Sequence, residues 1–129
     1  MRLTVSKRSD LAIRAVRYMA EHGGRIPGAE IAEDVGTSVP FLSQVLTPLV
    51  TKGWIDSRTG PAGGYELMPS GRDVTLLQLV ESVEGPLVDG RCVLEEHACD
   101  GDQPCALHTM WSGAREALMR SLDDVRVLS

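Results

Sequence analysis

Aromatic side chains are scarce in this chain: one Phe, two Trp and two Tyr among 129 residues, 4% of the whole. The core must therefore be packed from aliphatic side chains, which a hydrophobic fraction of 43% supplies. No apolar run approaches the roughly 20 residues that a membrane-spanning helix needs. The opening stretch MRLTVSKRSDLAIRAV scatters charge through its apolar part, which excludes a signal peptide and leads us to expect a cytoplasmic protein. Histidine is limited to His22, His97 and His108, with no nucleophile elbow or phosphate-binding glycine loop nearby, so the chain is not expected to be an enzyme. Cysteine is absent from all but one short stretch.

A surplus of basic charge is also missing. The net charge is −5, which at first argues against a nucleic-acid partner, but the acid is unevenly placed. Residues 1–75 hold nine Lys/Arg against eight Asp/Glu, whereas residues 76–129 hold four against ten. The first part is near neutral, and a few well-placed cations suffice to bind DNA with a steep dependence on salt.

Local patterns give the order of elements. SDLAIRAVRYMAEH places Leu11, Ala12, Ala15, Val16, Met19 and Ala20 on one helical stripe, with Ser9 as the expected N-cap, Asp10 in the first turn and Gly23-Gly24 as the stop. A short helix over 28–35 ends at Gly36. A third helix opens at Ser38 and buries Leu42, Val45, Leu46 and Leu49; Pro48 is expected to kink or shorten it near Gln44. Trp54-Ile55 and Tyr65-Glu66-Leu67 read as two strands joined through Gly60-Pro61-Ala62-Gly63-Gly64. Thr75 and Gln78 predict a capping box for a fourth helix closed by Gly85-Pro86. A last amphipathic helix is expected over 106–125, with Leu107, Met110, Trp111, Ala114, Leu118, Leu122 and Val125 as its apolar stripe. Helix, helix-turn-helix and hairpin in this order predict a mostly α fold: a winged helix-turn-helix over 1–75. Residues 76–129 then hold a linker helix, a loop at 86–105 and a long C-terminal helix. That helix is surplus to one small core and is expected to pack on its twin in a homodimer.

The loop carries all three cysteines, Cys92, Cys99 and Cys105, separated by six and five residues. Clustered thiols in a chain expected to be cytoplasmic point to a metal, an iron–sulfur cluster or redox chemistry. Structural zinc usually uses ligand pairs two to four residues apart, and these gaps are wider. A zinc- or thiol-switch regulator without a cluster remains the alternative.

The opening MRLT, the SDLAIRAV of the first helix, the LVTKGWIDSRTGPAGGYEL hairpin, the VTLLQLVESVEGP segment and the cysteine triplet together resemble the iron–sulfur winged-helix regulators that include IscR, NsrR and RirA. The resemblance implies a homodimeric, DNA-binding transcriptional regulator, as repressor or activator, acting on a palindromic operator. It implies an iron–sulfur cluster, 4Fe–4S or 2Fe–2S, that senses nitric oxide, redox state or iron–sulfur supply. Cys92, Cys99 and Cys105 would be its thiolate ligands. The fourth ligand would be Asp10, as in the NsrR-like branch, where the aspartate comes from the partner subunit, or His108, as in the IscR-like branch; Asp10 with 4Fe–4S is the reading taken forward, and His108 the alternative.

For DNA, the helix after Gly36 is the recognition helix by position. Its N-terminal face offers Thr37, Ser38, Phe41, Ser43 and Gln44, of which Gln44 is suited to adenine and Phe41 to a thymine methyl. Arg58 and Thr59 stand at the wing, and Arg2, Lys7 and Arg8 are expected at phosphates.

Overall fold

A computed structural model describes residues 2–87 and 106–129. Met1 and residues 88–105, with Cys92, Cys99 and Cys105, lie outside the described residues. Five helices and one antiparallel hairpin are described: α1 (Lys7–His22), α2 (Gly28–Val35), α3 (Val39–Thr51), β1 (Ile55–Arg58), β2 (Gly64–Leu67), α4 (Leu76–Glu84) and α5 (His108–Asp123). This is the expected winged helix-turn-helix, mostly α with a small β wing.

α1 is the organising element, packing against α2, α3, α4 and β2. Its stripe of Leu11, Ala12, Ala15, Val16 and Met19 is almost wholly buried, and the two alanines let neighbouring backbones approach. The helix begins three residues earlier than Ser9 predicted. Ser6 is the N-cap, and its Oγ accepts the Ser9 N–H at 3.2 Å. Ser9 falls on the same stripe as Ala12, Val16 and Met19 and is completely buried, so it serves the core-facing side rather than the cap.

α2 and α3 form the helix-turn-helix. Gly36, at φ 77°, makes the left-handed turn between them, and Ser38 caps α3 by accepting the Phe41 N–H at 3.2 Å. Pro48 does not shorten α3, which runs on to Thr51. An interior proline costs about 3 kcal/mol, but Leu42, Val45, Leu46 and Leu49 are each at most 1% exposed. Full burial of each contributes about 1.5–3 kcal/mol, so packing outweighs the lost backbone bond.

The wing pairs Ile55 with Leu67, Asp56 with Glu66, Ser57 with Tyr65 and Arg58 with Gly64. Trp54, expected in the first strand, lies just before it, and its carbonyl accepts the Met68 N–H at 2.9 Å. Beyond the hairpin itself, Ile26 in the α1–α2 connector exchanges two backbone hydrogen bonds with Tyr65, at 2.8 and 2.9 Å. Gly64 makes this approach possible: at φ 134°, an added Cβ would stand 2.2 Å from the Ile26 carbonyl oxygen.

The predicted capping box is present, with Thr75 Oγ1 and Gln78 N–H, and Gln78 Oε1 and Thr75 N–H, reciprocally bonded. α5 covers 108–123, a little inside the expected 106–125, and none of its residues is buried. The chain then turns back: the Val127 N–H donates to the Val74 carbonyl at 2.9 Å, and the Val127 side chain is fully buried in the core that α1 organises.

Gly64→Ala is expected to destabilise the protein by about 2 kcal/mol or more, because backbone must move to admit the methyl. Gly24→Ala, at φ 69° with open space around the site, is expected to cost only about 1 kcal/mol. Urea-unfolding midpoints at unchanged slope check both; equal losses would refute the close-approach argument.

Candidate nucleic-acid interface and ligand residues

The first turns of α1 and α3 are brought together. Arg8 lies over the ring of Phe41, its guanidinium carbon 5.5 Å from the ring centroid, within cation–π range. Lys7 and Arg8 are exposed in the first turn of α1, where the helix dipole disfavours cations. Local helix stability does not explain them there, whereas a polyanionic partner would.

Ser43 and Gln44 are exposed on α3; Thr37 and Phe41 are partly exposed. Ser38 is exposed but already committed through its Oγ to the helix cap. Arg58 and Thr59 stand exposed at the end of β1 and in the wing turn, and Arg2 is exposed ahead of α1. Tyr65 anchors the wing to the helix-turn-helix from the other side: a Cβ built on Gly28, the first residue of α2, would lie 3.3 Å from its ring.

Sequence spacing missed the ion pairs at the wing's base. Arg25, with a side chain only 16% exposed, sits between β1 and β2. Its Nη2 donates to Asp56 Oδ2 at 2.5 Å and Glu66 Oε1 at 3.2 Å, and its Nη1 to the Gly64 carbonyl at 3.1 Å. Arg58 Nε also reaches Asp56 Oδ2, at 3.4 Å. Hydrogen bonding from Arg25 holds the Asp56 carboxyl below the usual carboxylate range, with partial burial opposing and the charges of Arg25 and Arg58 assisting. Partners 31 and 41 residues apart leave no periodic signal in a sequence.

A second unpredicted contact joins α4 to α1. Glu84, the last residue of α4, accepts hydrogen bonds from the Ser9 hydroxyl and, at 3.2 Å, from the Ser6 N–H. Its carboxylate thus lies at the positive end of the α1 dipole, one residue before the Gly85-Pro86 junction.

Of the expected cluster ligands, only Asp10 and His108 fall within the described residues. Asp10 is about half exposed and receives a hydrogen bond from Arg14 at 3.1 Å, one helical turn on. His108 is partly exposed at the start of α5, its Nε2 3.4 Å from Ser112 Oγ. Among the described residues, no three His, Cys, Asp or Glu side chains gather as a metal site, and no helix is long and apolar enough to cross a membrane.

With this geometry in view, the comparisons with known proteins decide the family. The Rrf2 family model, described as iron-dependent transcriptional regulators, matches residues 5–129. The chain belongs to the Rrf2 family. HTH-type transcriptional regulators IscR of Pectobacterium carotovorum and Serratia proteamaculans are each 31% identical to it over 97% of this chain and 76% of theirs. Among solved structures, the global cysteine regulator CymR of B. subtilis superposes with a TM-score of 0.75 at 23% identity, over 98% of this chain and 94% of that one. IscR of T. potens superposes with a TM-score of 0.73 at 24% identity, over 97% of this chain and 83% of that one; both likenesses concern the fold. This Rrf2 protein is a DNA-binding transcriptional regulator and not an enzyme.

The depressed Asp56 carboxyl gives a pH dependence with a definite sign. A group whose pKa is lowered on folding stabilises the native state above its unfolded value, here 3.8, and that contribution is lost as pH falls through the folded value. The Tm advantage of the wild type over Asp56→Asn is therefore expected to be full near neutrality and to shrink progressively below pH 3.8. A difference that stays constant into strong acid would show that the Arg25–Asp56 pair does not act through charge.

Proposed function

We propose that this Rrf2 regulator binds a palindromic operator as a homodimer under the control of an iron–sulfur cluster held by Cys92, Cys99, Cys105 and a fourth ligand, Asp10. Residues 1–75 serve as the reading head, and residues 76–129 supply the linker helix, the cluster loop and the dimerisation helix. The observation that carries the reading is the cysteine triplet in a chain whose match to an iron-dependent regulator family runs through the same segment.

The donor set suits such a cluster: three soft thiolates with one carboxylate make an asymmetric site in which the oxygen ligand is the weak point. When bound, the cluster would supply a centre that reacts with nitric oxide or oxidants, and the favoured form is 4Fe–4S sensing nitric oxide in the cytoplasm. Asp10 is half exposed and tied only along its own helix to Arg14, so its carboxylate is accessible to a ligand from outside the helix. His108 is the alternative, which would go with a 2Fe–2S cluster. On the DNA side, Phe41, Ser43 and Gln44 of α3 face bases, Thr37 and Ser38 lie at the helix start, and Arg2, Lys7, Arg8, Arg58 and Thr59 meet the backbone or minor groove. Apolar side chains left exposed on α5, Met110 at 57% and Leu118 at 49%, support a helix that packs on a second copy.

Anaerobic purification with iron and sulfide counts is the deciding experiment. About four irons per chain support the Asp10 reading, and about two favour His108. A colourless protein with stoichiometric zinc, or with thiols alone, replaces the cluster with a zinc or thiol switch. Asp10→Ala is expected to change the visible spectrum while the protein stays folded; an unchanged spectrum there with an altered one in His108→Ala would reverse the assignment. Leu118→Glu is expected to shift sedimentation from dimer to monomer, and an intact dimer would remove α5 from the interface.

A further inference from the structure

The wing contains an electrostatic contradiction. Asp56 and Glu66 are direct cross-strand partners, and like charges directly opposite one another destabilise a hairpin. They also place two negative charges on the element that carries Arg58, in a protein whose partner is a polyanion. Arg25, from the connector between α1 and α2, eases both problems with its one positive charge. It bridges the two carboxylates at 2.5 and 3.2 Å, and its remaining donors hold the Gly64 carbonyl at 3.1 Å and the Asp56 carbonyl at 3.4 Å.

Asp56 is shared. Arg58 reaches the same Oδ2 at 3.4 Å, with its side chain 71% exposed, whereas Arg25 is nearer and largely buried. The two cations differ in what they can do. Arg25 is fixed by four acceptors; Arg58 has one long, exposed ion pair, which contributes little. A phosphate offered to Arg58 competes only with that weak pair, because Arg25 keeps Asp56 compensated when Arg58 leaves.

We propose that Arg25 is a positioning residue for operator binding: it is the wing's internal counter-ion, and by retaining Asp56 and Glu66 it releases Arg58 to the DNA backbone. Without Arg25, Asp56 recaptures Arg58 and the wing presents uncompensated acid to the duplex. The proposal rests on the reading that the wing meets DNA, and the test separates the two.

The full-length protein, purified anaerobically, would first select its operator from a random duplex pool. Affinities follow by fluorescence anisotropy over a salt series, with circular dichroism to confirm folding. R58A is expected to weaken binding several-fold and to reduce the salt slope by about 0.9, one phosphate contact. R25A is expected to lose the same slope, and R25A/R58A to bind within about twofold of R25A, since Arg58 is already withdrawn in that background. Adding D56N to R25A is expected to restore the slope. Additive losses in the double variant, or no restoration by D56N, would overturn the proposal while leaving the wing's contact with DNA intact. An R58A variant with wild-type affinity and slope would instead sink the wing reading, and the proposal with it; so would a folded wild type that selects no sequence. Should R25A not fold, R25A/D56N/E66Q takes its place: near wild-type affinity and slope are expected, and a loss as large as that of R58A overturns the proposal.

Discussion

Everything described in this fold depends on one buried stripe. Leu11, Ala12, Ala15, Val16 and Met19 of α1 form the surface on which α2, α3, α4 and β2 are assembled. The stripe works because it is small in the middle and large at its ends. The wholly buried core is aliphatic, while Tyr18, Phe41, Trp54 and Tyr65 pack against its edge only partly buried, so the aliphatic contacts inside must be close. The same helix is fastened at both ends by polar contacts. Glu84 binds its first turn through Ser6 and Ser9. Near its far end, Arg17 Nε donates to the Val127 carbonyl at 2.8 Å, and Tyr18 donates to Glu30 at 2.8 Å. Glu30 also pushes the Tyr18 phenol up to about 12, so the phenol keeps its donor proton at any physiological pH.

This arrangement gives α1 two sides of functional consequence. Its first turn carries Arg8 against Phe41 of α3, and the next residues carry Asp10, the favoured fourth ligand in the proposed function. Between them lies the Glu84 contact, made from the end of α4, ahead of the segment of sequence that bears the cysteines. The Glu84 contact, Asp10 and Arg8 thus all lie within the first turn of α1.

Much of the fold was legible because its determinants are local. Ser38, Gly36, and Thr75 with Gln78 act within one turn of themselves, and the stripes of α1 and α3 repeat at helical spacing. Ser9 misled because its neighbours look like a helix start, whereas its position on the stripe puts it in the core and leaves Ser6 to cap. Pro48 misled because propensity is a local cost, and four buried aliphatic side chains on the same helix outweigh it. The return of Val127 to the core carried no signal, since one valine after a helix has no period. Of the site, the helix-turn-helix and the wing hairpin followed from element order. The ligand set rested on cysteine spacing and resemblance, and the Arg25 cluster was invisible because its members meet only after folding.

That invisibility bears on how charge is counted in a DNA-binding chain. A near-neutral balance over residues 1–75 suggests weak attraction to DNA if every charge is taken as free. Folding changes the count that matters. Arg25 bridges Asp56 and Glu66 at the wing's base, one cation against two carboxylates, and Glu84 accepts hydrogen bonds from the first turn of α1. An acid paired with a cation at short range presents a dipole rather than a bare charge to an approaching phosphate, whereas Lys7, Arg8 and Arg58 are exposed to meet it. What decides binding is which charges the fold leaves uncompensated and on which face, so an overall charge of −5 is compatible with a DNA-reading surface of the opposite sign.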